Sequence, residues 1–307
     1  MKGKVIKSTG SWYQVLTEDK QLIECRLRGK FRNEGLKTTN PIAVGDWVVF
    51  QVEEGEEGTA IITDIEPREN YVIRKSPHNK HSAHMIAANV DQALLLVTLK
   101  QPRTSLGFID RFLVSCEAFR IPAVLVFNKT DLLSEDEREY QEAIAYLYTS
   151  IGYTCLAISA TEQTGLDPLK ALIKGKTSLI SGHSGAGKST LLNALDSRIQ
   201  QKTSEISSFA NKGVHTTTFA EMFLLPDDTF LIDTPGIKEL ALVDIEEEEL
   251  AHYFPEMRAL LGECRFHNCT HVHEPGCEVL AQVQAGTIPE TRYESYLSML
   301  SGEDNRR

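Results

Sequence analysis

Eight residues near the middle of the chain have the composition and spacing of a phosphate-binding loop. They run from Gly182 to Ser189 in the pattern G-x4-G-K-S, between a strand-like segment and a helical one. Glycines let backbone N–H groups curl around a phosphate, and the following helix N-terminus adds partial positive charge. The flanking elements favour this interpretation over the alternative, a glycine-rich turn without a ligand. The predicted contacts come from Gly182, Ser184, Gly185, Ala186, Gly187, Lys188, Ser189 and Thr190.

Two side chains of this loop and a later carboxylate could act on a nucleoside triphosphate. Lys188 is expected to reach the β- and γ-phosphates, and Ser189 to hold Mg²⁺. Asp233-Thr234-Pro235-Gly236 begins 51 residues after Gly182 and follows another strand-like segment. A carboxylate there can hold the outer shell of Mg²⁺, while the Gly236 N–H bonds the γ-phosphate. Hydrolysis would then release this second loop.

A third motif, Asn128-Lys129-Thr130-Asp131, is suited to reading a guanine base. The Asp131 carboxylate can accept from guanine N1–H and from the exocyclic amine, a pair of donors that adenine does not offer. The aliphatic stem of Lys129 can cover the base plane. Ser159 and Ala160 follow the next strand-like segment, and we expect the Ala160 N–H to bond guanine O6. Alone the tetrad could be a polar turn; with the other motifs it favours GTP over ATP.

The order of these motifs is unusual for a GTPase. The guanine-reading tetrad normally comes late, but here it precedes the phosphate loop, and the Asp233 loop comes last. Circular permutation moves the chain ends without moving the active site. It also leaves only 28 positions between Gly236 and Cys264, so a moving switch loop could act directly on the C-terminal segment.

Clustered cysteines and histidines near the C-terminus predict a metal centre. Cys264, Cys269 and Cys277 fall within fourteen residues, and His267, His271 and His273 offer an imidazole. Three thiolates and one imidazole suit tetrahedral Zn²⁺, and four protein ligands leave no open position, so we expect a structural site. The alternative is a helical hairpin with reduced, unliganded cysteines. The isolated cysteines are expected to be small buried apolar residues (Cys25, Cys116 and Cys155).

Periodicity in the rest of the chain predicts an α/β protein of three domains. Five strand-like runs in residues 1–70 indicate a small barrel, either an OB-fold or an SH3-like barrel. Residues 68–90 have no clear period and are interpreted as a basic linker. Apolar runs separated by helical stretches predict a parallel sheet in residues 71–240, and residues 241–307 have a helical pattern.

Composition limits the function classes. The net charge of −11 argues against coating by nucleic acid over the whole surface, but residues 1–39 carry nine basic and four acidic residues, a local net of +5. We find no signal peptide and no apolar run near the roughly 20 residues of a membrane helix. We therefore expect a cytoplasmic protein that does not bind membranes. We also expect a monomer. In a reducing cytoplasm, clustered cysteines favour metal over disulfides.

The order of tetrad, Ser159-Ala160 loop, phosphate loop and Asp233 loop, with a barrel before and a Cys/His cluster after, resembles the ribosome small-subunit-dependent GTPase family (RsgA, also called YjeQ or YloQ). The resemblance covers nearly the whole chain. It implies a GTPase that binds the small ribosomal subunit and its rRNA late in assembly, with hydrolysis stimulated by the subunit and linked to release of assembly factors. It also implies that His271 is the zinc-binding imidazole, with Cys264, Cys269 and Cys277.

The resemblance extends to a first switch segment, Gly213-Val214-His215-Thr216-Thr217-Thr218. It implies that His215 helps to orient the attacking water, and we expect Thr217 to bind Mg²⁺. Val214 stands where the family usually has a basic residue. Ile237, after Gly236, stands where Ras-like enzymes place a water-orienting glutamine, and an apolar side chain cannot do this. We therefore expect slow intrinsic hydrolysis that depends on a partner.

Three functions compete at this point. The first is a GTP-hydrolysing switch, with Lys188, Asp233 and His215 at the reacting phosphate and a barrel that contacts rRNA through basic residues and the aromatics Trp12, Tyr13 and Phe31. The second is an RNA-binding GTP sensor without useful turnover. The third, a P-loop kinase or ATPase, is disfavoured by the guanine-reading tetrad.

Overall fold

The computed structural model of the 307-residue chain describes three structural parts, an N-terminal barrel, a central sheet flanked by helices and a helical C-terminal part. The described residues are 1–27, 41–52, 59–75, 83–199, 220–233 and 245–303. This arrangement confirms the predicted α/β class with a barrel before the sheet and a helical part after it.

Five strands form the N-terminal barrel. They are β1 (Lys2–Ser8), β2 (Trp12–Thr17), β3 (Leu22–Leu27), β4 (Trp47–Val52) and β5 (Thr59–Ile65). Antiparallel pairs join β1 to β2, β2 to β3, β4 to β5 and β1 to β4, and β3 pairs with β5 in parallel. The ladder therefore closes in the order 1-2-3-5-4, which fits the OB-fold rather than the SH3-like alternative. Inward residues such as Val5, Val48 and Phe50 fill its core.

The segment that we interpreted as a basic linker contains a hairpin, so that interpretation was wrong. Strands β6 (Tyr71–Lys75) and β7 (Ala83–Ala88) pair antiparallel. The register shifts between Val72 and Ile73, and this irregularity breaks the two-residue alternation by which strands are recognised. Val72 packs into the core of the central sheet, whereas Ile73 packs with Met85 in a small separate cluster.

A six-stranded sheet forms the central part. Its strands are β8 (Gln92–Val97), β9 (Ala123–Phe127), β10 (Thr154–Ala157), β11 (Thr177–Gly182), β12 (Glu221–Leu225) and β13 (Thr229–Asp233). The order is 10-9-8-11-13-12, with every pair parallel except β12–β13. Every residue of β8 and β11 is buried, as expected for central strands covered on both faces.

Helices cover both faces of this sheet. They are α1 (Leu106–Ala118), α2 (Glu135–Ile151), α3 (Leu166–Ile173) and α4 (Lys188–Leu195). Successive residues of β8 point to opposite faces, so Leu95 packs with the α1 residue Phe108, and Leu96 packs with Leu191 of α4. Two apolar layers thus hold the sheet between its helices.

The barrel is joined to the central sheet. Strand β12, which follows residues 200–219, pairs antiparallel with β1 at Lys7 and Glu221, whose side chains form an ion pair of 2.9 Å. The Lys4 ammonium lies 3.2 Å from the Thr177 hydroxyl and 4.4 Å from the centre of the Phe230 ring. Because Lys4 is only 8% exposed, this contact is a buried part of the joint between barrel and sheet.

The C-terminal part is helical. It contains a 3-10 helix (Glu247–Tyr253), α5 (Pro255–Arg258), α6 (Glu278–Gln284) and α7 (Glu290–Leu300). The fully buried Arg292 guanidinium donates to Asp110 of α1 and to Glu256 of α5, each at 2.7 Å. This ion cluster joins α7 to the central sheet. Among the helices of the described ranges, none has the length and apolar character needed to cross a bilayer.

Candidate guanine-nucleotide site and metal centre

The motifs that are scattered along the chain meet at one edge of the central sheet. Because β8, β9, β11 and β13 are parallel, their carboxyl ends lie side by side. Asn128 follows β9, the phosphate loop follows β11, and Asp233 ends β13. Ligands of open α/β sheets bind at this edge. The permuted order therefore does not separate the motifs in space.

The phosphate loop depends on its glycines. Gly187 has φ +98°, and a Cβ built on it would lie 2.4 Å from Asn128 Nδ2, so any side chain would displace that amide. Helix α4 then begins at Lys188, so its free N–H groups face the loop. Ser184 and Gly185 are exposed, Ala186 is buried, and Ser189 and Thr190 are half-buried. The exposed backbone is thus available to an anion.

Lys188, the first residue of α4, and Asp233, the last residue of β13, both lie next to the phosphate loop. The Lys188 ammonium donates to the carbonyls of Gly182 and His183 at 2.7 and 2.9 Å. Burial lowers the pKa of Lys188, and the negative charge of Asp233 partly offsets that effect. Asp233 is 4% exposed and lies beside Ile180 in the ladder, two residues before Gly182. The site thus holds a cation for phosphate, and Ser189 and Asp233 supply oxygen donors of the kind that Mg²⁺ prefers.

Asn128 connects three loops. Its amide donates to the Ala186 carbonyl of the phosphate loop at 2.8 Å and accepts from the Ala160 N–H at 3.1 Å. The side chain is 4% exposed, so both bonds are shielded from water. The Ala160 N–H that we expected at guanine O6 is thus engaged with Asn128 here. To donate to guanine O6, the Ala160 N–H would have to leave the Asn128 side chain.

The side chains of Asp131 and Lys129 make their hydrogen bonds outside the phosphate loop. The exposed Asp131 carboxylate accepts from the hydroxyl of the buried Ser159 at 2.5 Å, which fixes its orientation. Lys129 has φ +65°, a left-handed conformation that is uncommon for a residue with a side chain. Its ammonium donates to the Gln101 carbonyl. The tetrad therefore presents a carboxylate and an extended apolar stem together.

The loop that follows β8 was not predicted from the sequence as part of the site. Lys100 forms an ion pair of 2.6 Å with Glu137 at the start of α2, and Gln101 accepts from Lys129. Pro102 Cδ lies 3.5 Å from the position that a Cβ on Gly185 would occupy. Its place in the sequence could have identified it. The loop follows a buried strand and so lies at the same sheet edge as the tetrad.

Several predicted site residues lie outside the described ranges. These are the switch residues His215 and Thr217, the γ-phosphate contact Gly236, and the two residues at which the chain departs from expectation, Val214 and Ile237. Their roles stay predictions.

The predicted zinc ligands come together in the C-terminal part. The ligand atoms of Cys264, Cys269, His271 and Cys277 all lie within 4.8 Å of one another. His271 Nδ1 is 3.6 Å from Cys264 Sγ and 3.4 Å from Cys277 Sγ. Tetrahedral zinc with bonds near 2.3 Å places its sulfurs about 3.8 Å apart, and Cys264 and Cys277 are 4.0 Å apart. The four residues therefore fit Zn²⁺.

The surroundings of the cluster bear on how a metal would be held. Burial raises the pKa of the Cys269 thiol to about 12, so at neutral pH the thiolate that zinc requires would form only with the ion bound. Tyr293 donates to the His271 carbonyl at 2.8 Å, which holds the left-handed backbone of the imidazole ligand in place. The other two candidates, His267 and His273, are exposed and outside the cluster.

Known proteins with similar sequences cover the whole chain. The family model of the RsgA N-terminal domain matches residues 2–60, and that of the RsgA GTPase matches residues 65–243. A relative from Bacteroides thetaiotaomicron named small ribosomal subunit biogenesis GTPase RsgA 2 is 54% identical over 99% of this chain and 97% of its own. A relative from Cytophaga hutchinsonii with the name small ribosomal subunit biogenesis GTPase RsgA is 54% identical over both full lengths.

Two solved structures have the same fold. The crystal structure of YjeQ from Thermotoga maritima aligns with a TM-score of 0.78 at 36% identity, covering 100% of this chain and 99% of the other. YloQ, described as a circularly permuted GTPase, aligns with a TM-score of 0.76 at 32% identity, covering 100% and 96%. The protein is therefore a GTP-hydrolysing enzyme with a permuted core. The chain belongs to the RsgA GTPase family.

Proposed function

We propose that this enzyme assists assembly of the small ribosomal subunit, and that the nucleotide at its phosphate loop controls its docking on the subunit rRNA. The observation that carries the proposal is the meeting of Asn128, the phosphate loop and Asp233 at one sheet edge. The names of relatives that are 54% identical over nearly the whole chain support the ribosomal role. The assembly factors that leave with hydrolysis, a monomeric state and a cytoplasmic location belong to the same proposal.

Each described site residue has a defined task in this reaction. Asp131 accepts from the guanine N1–H and amine, and the Lys129 stem covers the base. The Lys188 ammonium exchanges its two carbonyl partners for β- and γ-phosphate oxygens and offsets the charge that develops there. Outside the described ranges, we assign His215 to orient the attacking water.

Oxygen donors at the phosphate end would hold a metal ion. Ser189 and Thr217 would be its ligands, and Asp233 would bond to its outer shell. A bound Mg²⁺ would supply positive charge that offsets the negative charge of the phosphates. The buried position of Asp233, 4% exposed, keeps its carboxylate fixed next to Lys188 without competition from bulk water.

The barrel supplies one contact surface for rRNA. Trp12 is 41% exposed and stands opposite Arg26 in the β2–β3 ladder, so an aromatic ring and a guanidinium lie together on the surface. Such pairs stack on unpaired bases. Tyr13, a second candidate for stacking, is 1% exposed in the barrel core, so that suggestion was wrong. Phe31 lies outside the described residues.

Phosphate release from GTP, measured with and without purified small ribosomal subunits, tests this function. We expect slow turnover alone and strong stimulation by the subunit, because the residue after Gly236 is the apolar Ile237. Lys188→Ala should abolish the stimulated rate. Equal turnover with and without subunits would overturn the proposal, and so would stimulation that large subunits reproduce.

A further inference from the structure

We propose that the loop Lys100–Thr104, named here the bridging loop, forms part of the guanine site, and that the Thr98 hydroxyl is a positioning group that acts through it on Lys129. The inference rests on the proposed base-covering role of Lys129. The loop joins β8 to α1 and lies outside the GTPase motifs named above.

The bridging loop contacts both halves of the nucleotide site. On the base side, the Gln101 carbonyl accepts from the Lys129 ammonium, and Lys100 pairs with Glu137 at 2.6 Å. On the phosphate side, Pro102 lies against Gly185. The loop therefore fixes the end of the Lys129 side chain, which sets the path of the apolar stem between backbone and ammonium.

Two buried threonines hold the bridging loop in shape. The Thr98 hydroxyl donates to the Pro102 carbonyl at 2.5 Å, and the Thr98 N–H donates to the Thr104 hydroxyl at 3.1 Å. A backbone bond from the Thr104 N–H to the Thr98 carbonyl, at 2.8 Å, closes the turn. Thr98 is 1% exposed and Thr104 is 4% exposed, so neither hydroxyl can touch a nucleotide. Their effect on binding must pass through the loop.

In this arrangement, Lys129 and Asp131 recognise different parts of the base. The Lys129 stem covers the face of the ring and is insensitive to exocyclic groups, whereas Asp131 reads the N1–H and amine at the edge. Hypoxanthine has the same ring face as guanine but lacks the amine. Loosening the bridging loop should therefore weaken guanine and hypoxanthine nucleotides by the same factor.

The test measures dissociation constants of mant-GDP and mant-IDP for full-length variants. Thr98→Val removes the donor to Pro102 and keeps the side-chain shape. It should raise both constants by about three- to tenfold, the effect of one hydrogen bond, and leave their ratio unchanged. Thr98→Ser retains the hydroxyl and should restore binding. In a Lys129→Ala background, Thr98→Val should have no further effect.

Thr229→Val is the matched control. Thr229 is also 4% exposed, and its hydroxyl accepts from the Gly175 N–H at 2.8 Å, but it begins β13 at the opposite edge of the sheet. The Thr229→Val variant should lower thermal stability without changing the dissociation constant of mant-GDP or of mant-IDP. A change of stability alone therefore cannot imitate the expected result.

The inference is overturned if Thr98→Val binds as the wild type does, if it changes the ratio of the two constants, or if Lys129→Ala leaves binding unchanged. It is also overturned if Thr98→Val weakens binding equally with and without Lys129. The wild-type turnover assay with small subunits is separate. Subunit-stimulated turnover in the wild type together with an inert Thr98→Val would contradict this inference alone.

Discussion

Replacing Asn128 by alanine should weaken nucleotide binding by more than the loss of one direct contact between Asn128 and the nucleotide would. The side chain makes two shielded hydrogen bonds, to Ala186 and Ala160, that hold the phosphate loop and the Ser159-Ala160 loop against the tetrad. Without them, the nucleotide itself must order three loops as it binds. The free energy of ordering is then subtracted from the free energy of binding.

The size of the effect follows from those two bonds. Each bond contributes about 0.5–1.5 kcal/mol net, so their loss amounts to about 1–3 kcal/mol, shared between folding stability and binding. If all of it is lost from binding, the dissociation constant rises about 5- to 150-fold. Titration of mant-GDP measures the binding share, and urea unfolding of the nucleotide-free protein measures the stability share.

Asn70→Ala is the matched control for this prediction. The Asn70 amide also makes two backbone bonds, donating to the Val90 carbonyl and accepting from the Val90 N–H, both at 2.8 Å. Asn70 directly precedes β6, and its partner Val90 precedes β8, at the edge of the sheet away from the nucleotide site. The Asn70→Ala variant should reduce the free energy of unfolding by an amount similar to that for Asn128→Ala, and it should leave mant-GDP affinity unchanged. Wild-type affinity in Asn128→Ala, or an equal loss in both variants, would refute the reasoning.

Three further predictions test other parts of the molecule. Asp131→Asn should reverse the preference from GDP to XDP, measured by competition, because an amide can donate to the xanthine O2 and accept from N1–H. Cys269→Ser should release the zinc, measured by elemental analysis, and lower the melting temperature, because this ligand-rich segment depends on the metal. Arg292→Met should cost about 3–5 kcal/mol in urea unfolding, because it leaves the buried Asp110 and the largely buried Glu256 carboxylates without a cationic partner.

Matched control variants distinguish these specific effects from a general loss of stability. Cys155→Ser alters an isolated, half-buried cysteine and should keep the full zinc content. Arg258→Met breaks an ion pair with Glu117 in which the arginine is 47% exposed, and should cost about 1 kcal/mol or less. Zinc retained after Cys269→Ser, or similar costs for Arg258→Met and Arg292→Met, would contradict the assignments.

The sequence predicted best those elements whose burial follows a simple period. All five predicted barrel strands are present, and apolar residues such as Val5, Val15 and Phe50 form their buried core. The hairpin β6–β7 was missed because a bulge at Val72 interrupts the alternation. Strand β12 was not predicted, and its pairing with β1 could not be, because the ladder between Lys7 and Glu221 joins segments 214 residues apart.

The site was predictable where a motif fixes both residue type and spacing. The tetrad, the phosphate loop and Asp233 meet at one sheet edge. The four predicted zinc ligands come together separately in the C-terminal part. The bridging loop was not predictable from a motif, because its contacts use the backbone of Gln101 and the ring of Pro102. The buried Arg292 cluster was equally hidden, since its three charged residues lie far apart in the chain and resemble surface charges.

One measurement tests most directly whether the nucleotide at the phosphate loop controls docking on the small subunit. The full-length protein is sedimented with purified small ribosomal subunits in the presence of a non-hydrolysable GTP analogue or of GDP, with Lys188→Ala as a variant that cannot hold the β- and γ-phosphates. We expect the wild-type protein to sediment with the subunit in the presence of the analogue and to remain in the supernatant with GDP. Equal sedimentation in both nucleotides, or wild-type behaviour of Lys188→Ala, would contradict the proposed switch.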